Sequence, residues 1–146
     1  MAAGVNMSLP VSDNAEQSHI IVIVPDEPGS LAHVTTVLGE AEINIEAIDG
    51  RMVERFGVIA LSADDDDAAL RALLDADLRA ITSDVVVFHL PDKPGALAQV
   101  ARNFAIEDIN VRTIHIVHRI GGHAIVAVTT DDDARARSLL GADLLL

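Results

Sequence analysis

Two stretches hold the residues whose types and spacing promise most: Pro25-Asp26-Glu27-Pro28-Gly29-Ser30-Leu31 and Pro91-Asp92-Lys93-Pro94-Gly95-Ala96-Leu97. Each places a carboxylate just ahead of a Pro-Gly pair where a helical pattern opens. Proline suits a first turn, where its missing N–H costs nothing, and Asp26 or Ser30 can cap the helix. A second group is acidic: Asp64 to Asp67 and Asp131 to Asp133 each precede an apolar helical pattern. Asp there caps a helix and favours its dipole, whereas Ca²⁺ would need an EF-hand spacing that is absent. A third group is His115, His118 and His123. Strands paired across Arg119 to Gly122 can bring His118 and His123 together, as a metal or pH-sensing site. Histidines on an exposed hairpin are usually solvated, so no metal is assigned. His89 interrupts a strand and reads as a packed, hydrogen-bonded residue rather than a base. No phosphate loop, Gly-x-Ser-x-Gly or supported carboxylate pair occurs, and there is no cysteine. Catalysis and a cofactor are therefore not expected.

Behind these residues stands a repeat. Shifting the chain by 66 carries Pro25 onto Pro91, Asn44 onto Asn110, Ile59 onto Ile125 and the Asp65 run onto the Asp131 run, with no gap. Solenoids stack three or more shorter units, so two units of this length read as two small domains in tandem. They are expected at residues 19–84 and 85–146, after a mobile tail over 1–18 that mixes polar residues, Gly and Pro without periodicity.

Each copy reads strand-helix-strand-strand-helix-strand. The β-branched run to Val24 suits a central strand. Leu31, Val34, Leu38 and Ala41 then follow the spacing of one buried helix face. A second strand begins at Ile43-Asn44-Ile45, and its apolar phase slips by Ile48, as it slips between Val111 and Ile114; one β-bulge per copy would explain both. Glycine turns lead to third strands over Val58–Leu61 and Ala124–Val128, and short last strands fall around Leu78–Thr82 and Leu144–Leu146. The fold class is α+β: two ferredoxin-like βαββαβ units, each with a four-stranded antiparallel sheet and its helices on one face.

Composition narrows the function. The chain has 146 residues, half of them hydrophobic, with no Trp or Tyr and three Phe. Its core must be aliphatic. Net charge is −13, of which about −10 falls on the first repeat, −1 on the second and −2 on the tail. Such a surface repels phosphate backbones and anionic lipid, so neither nucleic acid nor membrane is an expected partner. No secretory signal and no membrane-length apolar run is evident, and a cytoplasmic protein is expected. The scarcity of lysine beside so many acids also suits a salt-rich, halophilic setting.

The motif Asp-x-Pro-Gly-x-Leu opening a helix, followed by Ile-Asn-Ile or Ile-Asn-Val, occurs twice in register. It resembles the ACT domain family of amino-acid-sensing regulatory modules. The chain looks like the stand-alone proteins made only of two such repeats. The resemblance implies sheets joined side by side through their edge strands, which removes exposed edges, with a small amino acid held at the junction between ACT units. It implies that the loop amides and helix dipole take the ligand carboxylate, with Gly29 and Gly95 allowing close approach. Asp26, Asp92 and the amide oxygens of Asn44 and Asn110 accept from its ammonium group. The implied ligand-binding set is Asp26, Gly29, Ser30, Leu31, Asn44, Ile45, Asp92, Gly95, Ala96, Leu97, Asn110 and Val111. Asn44 and Asn110 read equally as turn residues before strand two. Val24 and Leu90 stand where phosphoglycerate dehydrogenases carry a histidine, so a serine-specific contact is missing. Ser30 becomes Ala96 and Glu27 becomes Lys93, so the two sites differ.

The expected function is thus a non-enzymatic regulatory protein that binds a small amino acid and transmits occupancy to a partner. A homodimer or higher oligomer is expected, with an amino-acid metabolic enzyme as one possible partner. The alternative is a structural subunit that assembles on a biosynthetic enzyme, as the regulatory subunit of acetolactate synthase does, with vestigial pockets.

Overall fold

A computed structural model describes residues 19–146, and the expected tail at 1–18 lies outside the described residues. The chain divides into two compact units, one ending at Ser83 and the other spanning Asp84–Leu146. The first unit comprises β1 (Ile20–Pro25), α1 (Ser30–Glu40), β2 (Ile45–Val53), β3 (Phe56–Ala63), α2 (Asp66–Asp75) and β4 (Arg79–Thr82). Its sheet is antiparallel throughout, in the order β2-β3-β1-β4. Alternate residues Ile20, Val22 and Val24 of β1 join Ile59 and Leu61 of β3 under Val34 and Leu38 of α1 and Ala69 and Leu73 of α2. Both helices therefore cover one face. The intervening Ile21 and Ile23 are buried as well, which is why β1 is continuously apolar rather than alternating.

The second unit comprises β5 (Val86–Pro91), α3 (Ala96–Ile106), β6 (Val111–Ile120), β7 (His123–Thr130) and α4 (Asp133–Leu140). Val86, Phe88 and Leu90 pack with Val126 and Val128 under Val100 and Phe104 of α3 and Ala136 and Leu140 of α4. Here the sheet has three strands, in the order β5-β7-β6, not the four expected. The segment at Leu144–Leu146 forms one bridge, Leu145 to Phe88. Its bonds are His89 N to Leu144 O at 2.9 Å and Leu146 N to Val87 O at 3.0 Å. Two hydrogen bonds make a single rung of a ladder, too few to count as a strand.

The expected bulges are present, between Ile45 and Ala47 and between Val111 and Thr113. A second bulge, between Ile116 and His118, has no counterpart in the first unit. It overturns the gapless repeat. Up to Ile116 the units correspond at a shift of 66, but beyond Val117 the shift is 67. Ile59 and Leu61 of the first core thus correspond to Val126 and Val128, whereas Ile125 lies on the opposite face. Similar apolar residues on both sides of a strand hide a one-residue slip in the sequence.

The acidic runs confirm the corrected shift, because each residue does the same work in both units. Asp64 and Asp131 accept from the amides of Asn44 and Asn110, at 3.2 and 3.0 Å. Asp65 and Asp132 cap α2 and α4, accepting from Ala68 N and Arg135 N at 3.1 Å each. Asp66 and Asp133 reach back to Ala63 N and Thr130 N, both at 2.8 Å. Changing Asp65 or Asp132 to alanine should cost about 1 kcal/mol each, read as a fall in the urea midpoint with an unchanged slope.

Candidate functional site

The turn before α1 is a glycine device. Gly29 sits at φ 95° and Gly95 at φ 88°, the left-handed region that L side chains avoid. Neither helix has a side-chain cap. The expected cap from Asp26 or Ser30 is not formed: Ser30 Oγ instead donates to Pro25 O at 2.8 Å, bracing the end of β1. His33 N and Gln99 N bond to the glycine carbonyls at 2.8 and 3.0 Å, while Ser30 N and Ala96 N turn back to Glu27 O and Lys93 O. The amides of Leu31 and Ala32, and of Leu97 and Ala98, have no hydrogen-bond partner among the described residues. Such donors at the positive end of a helix are the groups that bind an anion.

Leu31 and Leu97, which carry two of these amides, line an open cleft in each unit. The first, of about 290 Å³, lies between the loop Pro25–Leu31 and the hairpin where β2 ends and β3 begins, with Asp26, Leu31, Arg51 and Met52 in its lining. The second, of about 180 Å³, lies between the loop Pro91–Leu97 and β6 and β7, with Asp92, Lys93, Leu97, Ile116 and Arg119. Leu31 was expected on the buried helix face, yet it is 55% exposed; the buried face begins at Val34. Asp26 has no hydrogen-bond or ion-pair partner among the described residues, whereas Asp92 is held by Arg119 Nε at 3.3 Å. Asp92 N also donates to Gly122 O, fastening the loop to the β6–β7 turn.

Of the residues singled out in the sequence, Asp26, Ser30 and Leu31 line the first cleft and Asp92, Ala96 and Leu97 the second. Gly29 lies in the first loop on its other side, toward His33, and Gly95 sets the second loop's geometry. Asn44 and Ile45 are elsewhere. Ile45 pairs with Ala63, at the end of the sheet opposite the Pro25–Phe56 pair that leads into the loop. Asn110 and Val111 occupy the same far end of their sheet, where Val111 pairs with Thr130. Within one unit the loop and the asparagine are not brought together. Met52 and Arg119, which the motif did not mark, enter the clefts from the edge strands.

The histidines lie on the other face of the second sheet. His89 is buried, donates through Nε2 to Asp143 O at 2.9 Å, and meets the His123 ring edge-on at 5.3 Å between centroids. His89 and His118 flank Ile125 from both sides. Among the described residues, no group of three His, Asp or Glu is placed to hold a metal ion, and no helix is long and apolar enough to cross a membrane.

The profile of the ACT domain pair matches residues 16–145. The chain belongs to the ACT domain family. Its fold is a tandem of ferredoxin-like ACT units, a regulatory type of module. This ACT pair is similar to a crystallised protein from Bacteroides thetaiotaomicron, at 25% identity and TM-score 0.45, covering 88% of this chain and 90% of that one. It is also similar to the regulatory subunit of aspartate kinase from Thermus thermophilus, at 21% identity and TM-score 0.38, with 85% and 91% covered. A third likeness is the acetolactate synthase small subunit from Thermotoga maritima, at 12% identity and TM-score 0.37, with 88% and 89% covered. No curated protein matches the sequence.

Proposed function

We propose that this ACT pair binds a small amino acid in the clefts beside α1 and α3 and passes occupancy to a partner. The observation that carries this reading is the same in both units: unengaged amides at the start of a helix, one of them on a residue that lines a cleft, with a carboxylate at Asp26 or Asp92 in the same lining. The ligand carboxylate takes the amides, its ammonium group the Asp side chain, and its side chain the apolar wall formed with β2 or β6. A second copy of the chain, paired through an edge strand, would supply Asn44 or Asn110 to complete the contacts. The ligand then favours the paired arrangement only to the extent that it binds that arrangement more tightly. The partner that reads the change is an enzyme of amino-acid metabolism.

Calorimetry against the full panel of amino acids tests this, run at low and molar potassium chloride because the net charge is −13. One or a few amino acids should bind, at no more than two sites per chain. Silence across the panel in both salts sinks the proposal.

A second reading has its own observation. Ile48, Met52, Ile114 and Ile116 are exposed on the edge strands β2 and β6, a surface suited to assembly with or without ligand. A stable complex with an enzyme, together with a melting temperature that no amino acid moves, would favour an assembly subunit.

A further inference from the structure

The corrected correspondence between the units places Arg119 where the first unit has Met52, since Arg119 pairs with Ala124 as Met52 pairs with Gly57. Likewise Ile116, opposite Val126, stands where Gly50 stands opposite Ile59. Lys93 replaces Glu27. The two clefts therefore have the same walls and different chemistry. Isoleucine for glycine and alanine for glycine fill the second, which is the smaller, at about 180 against 290 Å³. Its lining carries Lys93 and Arg119 against Asp92, so it is net positive. The first carries Asp26 and Glu27 against Arg51 and is net negative.

Resting on the amino-acid-binding reading above, we infer that the clefts have diverged in specificity: the second takes a small amino acid bearing a second carboxylate, and the first a neutral one. The planar guanidinium of Arg119, shared between Asp92 and the ligand, presents a fork matched to a carboxylate. Lys93 adds a mobile point charge at the mouth. In the first cleft Asp26 and Glu27 repel a second carboxylate, while the thioether of Met52 offers an adaptable apolar wall. These groups are partly exposed and screened by salt, so the preference should be about tenfold rather than absolute.

The test is an amide-shift titration of the labelled full chain with aspartate, glutamate, leucine and succinate. Gly95 and Leu97 report on the second cleft, Gly29 and Leu31 on the first. Aspartate or glutamate should move the second pair at about a tenth of the leucine concentration that does so, and leucine should move the first pair preferentially. Lys93→Glu and Arg119→Met, both at exposed positions, should each weaken acidic-ligand binding about tenfold without changing the melting temperature. If both loops respond but the second shows no acidic preference, or keeps it in both variants, the divergence is refuted and the sensor reading stands. Succinate as potent as aspartate would refute an amino-acid ligand for the second cleft. No response from either loop to any amino acid overturns the sensor reading and the divergence with it.

Discussion

Phe88→Ala should lower the unfolding free energy by about 3–5 kcal/mol, the largest loss expected from a single substitution here. Phe88 is fully buried, lies between β7 and the Leu145 bridge, and packs in the same core as Phe104. Apart from Phe104 the rest of that core is aliphatic, and its side chains are already held in close packing with their own neighbours, so the space is not refilled and a cavity remains. A domain of about 60 residues has little stability to spare. Urea unfolding followed through the amide resonances of residues 84–146 measures the loss. A change below about 1 kcal/mol would mean that the site collapses freely and that Phe88 does not organise this core.

Gly29→Val should abolish the ligand response of the first loop, leave that of the second, and cost only about 2 kcal/mol of stability. At φ 95° a β-branched residue is a steric outlier. A Cβ at this position meets nothing within 4 Å, so the penalty arises from the backbone itself and not from crowding. The chain relaxes by rotating the turn, which re-aims the amides of Leu31 and Ala32 away from the cleft. Gly29→Asn supplies the control, because asparagine tolerates the left-handed region and should keep both stability and response. Melting curves and the Gly95 and Leu97 shifts measured in the same samples separate unfolding from loss of the site. A valine variant that still responds at Leu31 would show that the loop amides are not the receptor.

Much of the fold was legible because the signals were local. The β-branched run of β1, the helix spacing of Val34 and Leu38 and the Asp caps at Asp65 and Asp132 each follow from short-range chemistry. The slip of apolar phase after Ile45 exposed a bulge for the same reason. What misled was any feature that depended on strand register. The extra residue near Val117 left no trace, because the flanking Ile116, Ile125 and Val126 are apolar on both faces. A constant shift of 66 therefore aligned Arg119 with Val53 rather than with Met52. The fourth strand of the second unit failed similarly: Leu144 to Leu146 have strand chemistry, but pairing is a property of two segments, and only one rung forms.

At the site, the turn follows from local chemistry alone. Pro-Gly ahead of a helix, with glycine needed for a positive φ, leaves amides pointing outward, and the identities of Asp26 and Asp92 follow directly. What faces those amides is set by the folded chain. Met52 and Arg119 reach the clefts from strands some twenty-five residues along the chain, through a hydrogen-bond register that no local propensity specifies. The same register carries Asn44 and Asn110 to the opposite ends of their sheets, because β2 and β6 start where β1 and β5 start and the loops lie where those strands finish.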